Sequence, residues 1–169
     1  MTDTVYPNIT TVNERDEVVG YFQLFDALEK GLIRRVSCIF VLDEENRVLI
    51  QRRSATVLSP NLLDFSAAGH VNEGDDYFAA ANAELFEELG IKNSVLSLIS
   101  APFSTPGFFN AIYKTTISKE ATFSVSEDEV AKVFWVPFPE LQEMIVLHPQ
   151  QFTGPFLAVW PYVRDKIIP

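Results

Sequence analysis

The stretch from Tyr77 to Leu89 most constrains what this chain folds into, because its two sides make opposite demands. Its Ala- and Glu-rich content favours helix, Asp75 or Asp76 supplies an N-cap, and Gly90 supplies a stop. At about 100° per residue, Glu87 and Glu88 fall roughly 60° and 40° to either side of Glu84, so the three carboxylates share one face. Phe78, Leu85 and Leu89 group on another face and need an apolar surface to pack on. Such a helix requires a sheet beneath one side and positive charge beside the other.

Strand-like runs before and after it supply the sheet. Arg35 to Leu42 is rich in β-branched and aromatic residues, Asp43 to Asn46 is turn-like, and Val48 to Gln51 is apolar again, which reads as a hairpin. Ahead of it, after a polar start, Glu17 to Tyr21 reads as a short strand and Gln23 to Gly31 as a short helix ending on Gly. Ser54 to Leu63 reads as a loop, and Asp64 to Val71 resumes a strand that breaks at Gly69. Beyond the acidic helix, strands are expected at Leu96 to Phe103, Phe108 to Ile117 and Ala131 to Val136, the last ended by Pro137. Glu140 to Val146 reads as helix, and Pro155 to Ile168 as a terminal helix that Pro161 kinks or splits. Strands mixed with a few helices imply an α/β fold, with a mixed β-sheet covered by helices on both faces.

A chain of 169 residues, 47% of them hydrophobic, buries one core, so residues 1–169 are expected to form a single domain. The formal net charge of -10 argues against a nucleic acid polymer as partner, since coating a duplex needs a basic surface. A small anionic ligand would need a divalent cation or a local cluster of Arg. No apolar run reaches the length of a bilayer span, so no membrane partner is expected. Cys38 is single, and Met1 to Thr11 has neither an apolar h-region nor a cationic leader, which gives a reducing, cytoplasmic location as the expectation. A homodimer stays open.

A Glu-rich helix face is ordinarily a solvated one. Here like charges at i,i+3 and i,i+4 repel, and Ala80, Ala81, Asn82 and Ala83 supply no Lys or Arg to relieve them. A bound cation would supply the missing charge. Carboxylates are hard oxygen donors suited to Mg²⁺, with Mn²⁺ as the alternative, and both ions share their remaining sites with water and substrate phosphates. The implied chemistry is phosphoryl chemistry.

From Gly69 to Ile91, the segment GHVNEGDDYFAAANAELFEELGI resembles the Nudix box, G-x5-E-x7-R-E-U-x-E-E-x-G-U with U aliphatic. Gly69, Glu84, Leu85, Glu87, Glu88, Gly90 and Ile91 fall in place. The resemblance implies an α/β/α sandwich around a mixed sheet. It also implies that Glu87 and Glu88 are metal ligands, that Glu84 is a ligand or general base, and that Gly69 offers its carbonyl to the metal. Two positions depart from the pattern: Asp75 stands where Glu is usual and Ala83 where Arg is usual. Loss of that Arg would raise the pKa of Glu84 or loosen its rotamer. Outside the box, QRRS at Gln51 to Ser54 and SAAGHV at Ser66 to Val71 resemble the branch that includes isopentenyl-diphosphate isomerase, over about Gly20 to Val136. That isomerase has a catalytic Cys where Ala68 stands and a His where Arg34 stands, so the resemblance implies a hydrolase of the same branch.

Arg52 and Arg53 end a strand close to the box, and a guanidinium suits bidentate contact with a diphosphate, although alternation lets only one of them face the site. Arg34 and Arg35 are similar candidates. His70 follows the box glycine and is read either as a contact to metal or phosphate or as a hydrogen-bonded structural residue. Glu127, Asp128 and Glu129 precede a strand, in a region where many family members carry an assisting acid; an acidic loop is the plainer reading. With Asp75, Glu127 and Glu129 stand as accessory acids. Phe108 and Phe109 either stack on a base or belong to the core. Cys38 reads as a small buried residue, and His148 has no partner pattern.

Three functions are compatible with this pattern. The first is Mg²⁺-dependent hydrolysis of a diphosphate bond in a small molecule, a nucleoside diphosphate linked to another moiety. The second is a nucleotide-binding module with weakened catalysis, suggested by Ala83 and Asp75. The third, isomerisation of isopentenyl diphosphate, conflicts with Ala68, which carries no acid or base.

Overall fold

The computed structural model describes residues 6–168. In chain order these form β1 (Ile9–Val12), β2 (Val18–Phe22), α1 (Leu24–Glu29), β3 (Ile33–Leu42), β4 (Arg47–Arg53), β5 (Leu63–Asp64) and β6 (Ala67–His70). They continue with α2 (Tyr77–Leu89), β7 (Ser97–Thr105), β8 (Phe108–Thr116), β9 (Val130–Pro137), α3 (Phe138–Leu147), a 3-10 turn at Pro149–Gln151 and α4 (Gly154–Ile167).

Strand β3 is the axis of the sheet. One edge runs parallel to β8, Arg34 to Leu42 against Phe108 to Thr116. The other edge meets β1, then β6 antiparallel from Val36 to Ile39, and finally β4 at Leu42 and Val48 alone. From that single junction β4 diverges to pair with β9 along its length and with β5 at its end. The sheet is therefore mixed, with two arms joined at the β3–β4 hairpin.

Period-two alternation along β3 sends its side chains into two cores. Val36, Cys38, Phe40 and Leu42 face α3 and α4, whereas Ile39 and Val41 face Ala81, Leu85 and Leu89 of α2. Burial on both faces explains why β3 reads as one continuous apolar run. Phe40 lies edge-on to Phe65, Phe156 and Trp160, with ring centroids 5.4, 6.1 and 6.4 Å away. The arrangement is the expected α/β/α sandwich. Among the described residues no helix is long and apolar enough to cross a membrane.

Four local details differ from the sequence reading. The polar start contains β1, whose Thr10 and Thr11 are buried because their hydroxyls donate to the carbonyls of Asn72 and Gly20. The strand expected over Asp64 to Val71 is two strands, interrupted at Phe65 and Ser66 and not at Gly69. There the chain changes partner from β4 to β3, and the Ser66 hydroxyl bridges the two, accepting from the Val41 N–H and donating to the Leu49 carbonyl. Pro161 does not split α4; it sits on the exposed side, where water can serve the carbonyl it leaves free. Helix α3 starts at Phe138, earlier than expected, with Pro137 as its N-cap.

Candidate active site

Helix α2 is bounded as its ends require. Asp76, not Asp75, is the N-cap and accepts from the Ala79 N–H at 2.8 Å. Gly90 ends the helix at φ 72°, a left-handed conformation suited to glycine. Leu85 and Leu89 are buried against the sheet, which turns Glu84 and Glu88 toward β6.

The contact of β6 with α2 explains Gly69. A Cβ at that position would coincide with the Glu84 carboxylate, so the absence of a side chain lets the acid lie on the strand. Glu88, 3% exposed, is fixed from two sides. Its Oε2 accepts from the Ala68 N–H at 3.1 Å and from Gln51 Nε2 at 3.2 Å. It therefore spans the divergence between β6 and β4, the two arms of the sheet. Glu87 is exposed beside them.

A fourth acid joins from the loop before β9. The Ser124 and Ser126 N–H groups donate to the carbonyls of Leu89 and Glu88 at 3.0 and 3.1 Å, and the Ser54 N–H donates to the Glu129 carbonyl at 2.8 Å. These bonds hold Glu129 where its charge acts on both Glu84 and Glu88. Burial, then Glu87 and Glu129, pushes the Glu84 carboxyl up to about 8. Burial, then Glu84, drives Glu88 well above the usual carboxylate range, against the opposing Ala68 N–H. Ala83 leaves this cluster without the basic partner usual in the motif, and burial adds more to the Glu84 shift than the neighbouring charges do.

Among the described residues none of these four acids makes an ion pair. Nor do three His, Cys, Asp or Glu side chains there converge as a finished metal cage. Four hard oxygen donors, with the carboxyls of Glu84 and Glu88 raised, nevertheless fit an ion such as Mg²⁺, which needs few protein ligands and keeps several waters.

The other candidates are dispersed. A register shift separates Arg52 from Arg53, and both hold the loop 54–62: Arg52 Nη1 donates to the Asn61 carbonyl at 2.7 Å and Arg53 Nε to that of Leu58 at 2.8 Å. Arg53 also pairs with the buried Asp64 at 3.1 Å. Arg35 pairs with Asp16 at 2.7 Å, and Tyr77 Oη donates to the same Asp16 oxygen, which ties the β1–β2 turn to the start of α2. His70, Arg34 and Phe108 face the α4 side, away from Gly69 and Glu84. Phe109 is in the core, Asp75 and Glu127 are exposed, and Asp128 binds Ser54 and Thr56 through its carbonyl. Cys38 is buried, with its thiol pushed well up by burial, and His148 is exposed at the end of α3. Gln51 and Asp64 escaped the sequence reading; alternation from Leu49 places Gln51 on the α2 face and was the available signal.

A family model described as the NUDIX domain matches residues 31–154. The chain belongs to the Nudix family. This Nudix chain is 30% identical over 165 residues to a prenyl-diphosphate phosphatase of Methanosarcina mazei, covering 95% of the chain and 92% of that protein. It is 28% identical over 153 residues to an isopentenyl-diphosphate Delta-isomerase of Photorhabdus laumondii, covering 86% and 85%. The crystal structure of DR0079 from Deinococcus radiodurans matches with a TM-score of 0.79 at 27% identity, over 94% of this chain and 98% of that one. The sandwich is thus a Nudix fold, and the chain is a Nudix hydrolase.

Proposed function

We propose that this Nudix hydrolase cleaves a diphosphate bond in a small organic diphosphate with Mg²⁺, Mn²⁺ being the alternative ion. The acidic cluster, with Glu88 buried, Glu84 half-buried and no basic partner among the described residues, carries the reading. Glu84, Glu87, Glu88 and the Gly69 carbonyl would hold the ion, and Glu129 would assist from the loop. A divalent ion bound there supplies polarisation of a phosphoryl oxygen and lowers the pKa of water.

The chain's own residues do the rest. Gln51 and the Ala68 N–H lock the Glu88 rotamer, so its free oxygen stays oriented. Glu84, lying against Gly69 beside Glu88, is placed to take a proton from water as the alternative to ligating the ion. Arg53 uses Nε and Nη1 in its contacts with Leu58 and Asp64, and its remaining N–H groups serve as a diphosphate contact, with Arg52 steadying the same loop. Asp75, at the opposite end of α2, and Glu127 are given no role, since of these acids only Glu129 acts on Glu84 and Glu88.

The Methanosarcina relative is named for prenyl diphosphates, which we extend to this chain as its substrate class; a nucleoside diphosphate linked to another moiety is the comparison. Isomerisation is not proposed, because the Ala68 methyl can neither give nor take a proton. We place the enzyme in the cytoplasm as a single domain acting on small molecules. Glu88→Gln tests the assignment: the amide still accepts from Ala68, so folding is kept while Mg²⁺-dependent turnover is nearly abolished. Turnover retained in that variant contradicts the role given to Glu88.

A further inference from the structure

Arg34 is a buried cation without an anion. Its side chain is 8% exposed and, among the described residues, has no carboxylate at ion-pair distance. It lies 4.2 Å over the Phe108 ring and donates from Nη2 to the Gly107 carbonyl at 3.3 Å, while Nε is buried with no partner. A buried guanidinium is costly unless it is paired. With 23 Asp and Glu against 13 Lys and Arg, the chain has no shortage of acids to place there.

His70 repeats the pattern. Arg34 is the register partner of Phe108, and His70 that of Val36, so all three side chains leave the same face of the sheet. The His70 ring lies 6.4 Å from Phe108, and its Nε2 is likewise buried without a partner. Phe108 also lines a cleft of about 310 Å³ with Pro106, Gly154, Pro155 and Ala158.

We infer that Arg34 and His70 form a phosphate-binding site beside Phe108, on the sheet face opposite the glutamate helix. An unpaired guanidinium with a free Nε–H, beside an imidazole nitrogen without a partner, matches a tetrahedral oxyanion, which offers several acceptors and can carry a proton of its own. The occupant is either a phosphate of the substrate or free inorganic phosphate. The site does not depend on the proposed hydrolysis, because it can be tested without metal or turnover.

Thermal unfolding in EDTA, with inorganic phosphate against chloride at equal ionic strength, reads the site directly. Phosphate at ten times its dissociation constant is expected to raise Tm by about 3–5 °C. Arg34→Met is expected to equal or exceed the parent in chloride and to lose the phosphate response, and His70→Phe to weaken it. Arg34→Lys, which keeps the charge but not the fork, provides a second variant and is expected to need more phosphate. No phosphate-specific rise in the parent, or an undiminished rise in Arg34→Met or Arg34→Lys, overturns the inference. The source follows from kinetics with Mg²⁺: phosphate that raises KM in the parent but not in Arg34→Met marks a substrate subsite. Unchanged KM beside the thermal response marks a separate site for the free ion.

Discussion

Gly69→Ala separates the geometry of the site from the stability of the fold. Gly69 is not among the residues with positive φ, so alanine is tolerated by the backbone, and its reduced freedom in the unfolded chain even stabilises by about 0.4–1 kcal/mol. The cost arises at Glu84, whose carboxylate occupies the position of the new Cβ. The colliding atoms are the far end of a flexible side chain, so relief is a displaced rotamer costing about 0.5–1.5 kcal/mol. The two contributions nearly cancel, and Tm should move by no more than about 4 °C in a domain of this size. Activity responds differently, because a catalytic carboxylate displaced by about 1 Å costs on the order of 10²-fold. Scanning calorimetry and Mg²⁺-dependent phosphate release on the same preparation read both quantities. Turnover within about threefold of the parent, or a Tm loss above about 10 °C, would refute the close-approach argument.

Three further predictions concern the same framework. Glu84 has its folded pKa raised to about 8 from 4.5, so the stability it contributes is full below pH 4.5 and is lost as pH rises through 8. Tm in EDTA should therefore fall between pH 7 and 9, and Mg²⁺, which favours the ionised form, should reduce that fall; His70, held down at about 4, is uncharged in this window and does not interfere, and a flat metal-free profile would contradict the assignment. Thr153 both caps α4 and donates to the buried Asp64 at 2.9 Å, so Thr153→Ala should cost about 1 kcal/mol for the cap and about 0.5–1.5 more for the lost bond, Asp64 keeping Arg53 and the Phe65 N–H, as read by urea unfolding. Phe156→Ala removes a ring packed between Phe40, Phe65 and Trp160 and should cost about 3–5 kcal/mol by the same measurement, with less than about 1 kcal/mol speaking against that core.

What could be read from the chain was local or periodic. The shared face of Glu84, Glu87 and Glu88, the Gly90 stop and the apolar β3 all follow from short-range spacing. Other features needed the register. Nothing in a run of Thr announces that two hydroxyls will be satisfied by Asn72 and Gly20, so β1 stayed hidden. Gly69 was a reasonable place to break a strand by propensity, yet its purpose is room for an acid from another element, and the actual break uses the Ser66 hydroxyl. Gln51 and Glu88 meet across 37 positions, and Glu129 reaches the site on a loop held by backbone bonds that no residue type signals. Arg52 and Arg53 attracted attention as a pair, whereas the buried Arg34 has no acid at ion-pair distance among the described residues, which only the fold shows.

The central claim is that the acidic face of α2 hydrolyses a diphosphate through a divalent ion. Its most direct test is a product-resolved assay of prenyl diphosphates and nucleoside diphosphate conjugates in ¹⁸O-labelled water, with Mg²⁺ or with EDTA. Cleavage of at least one substrate class is expected, with ¹⁸O in a released phosphate, dependent on Mg²⁺ and lost in Glu88→Gln. Equal release in EDTA, or undiminished release by Glu88→Gln, would contradict it.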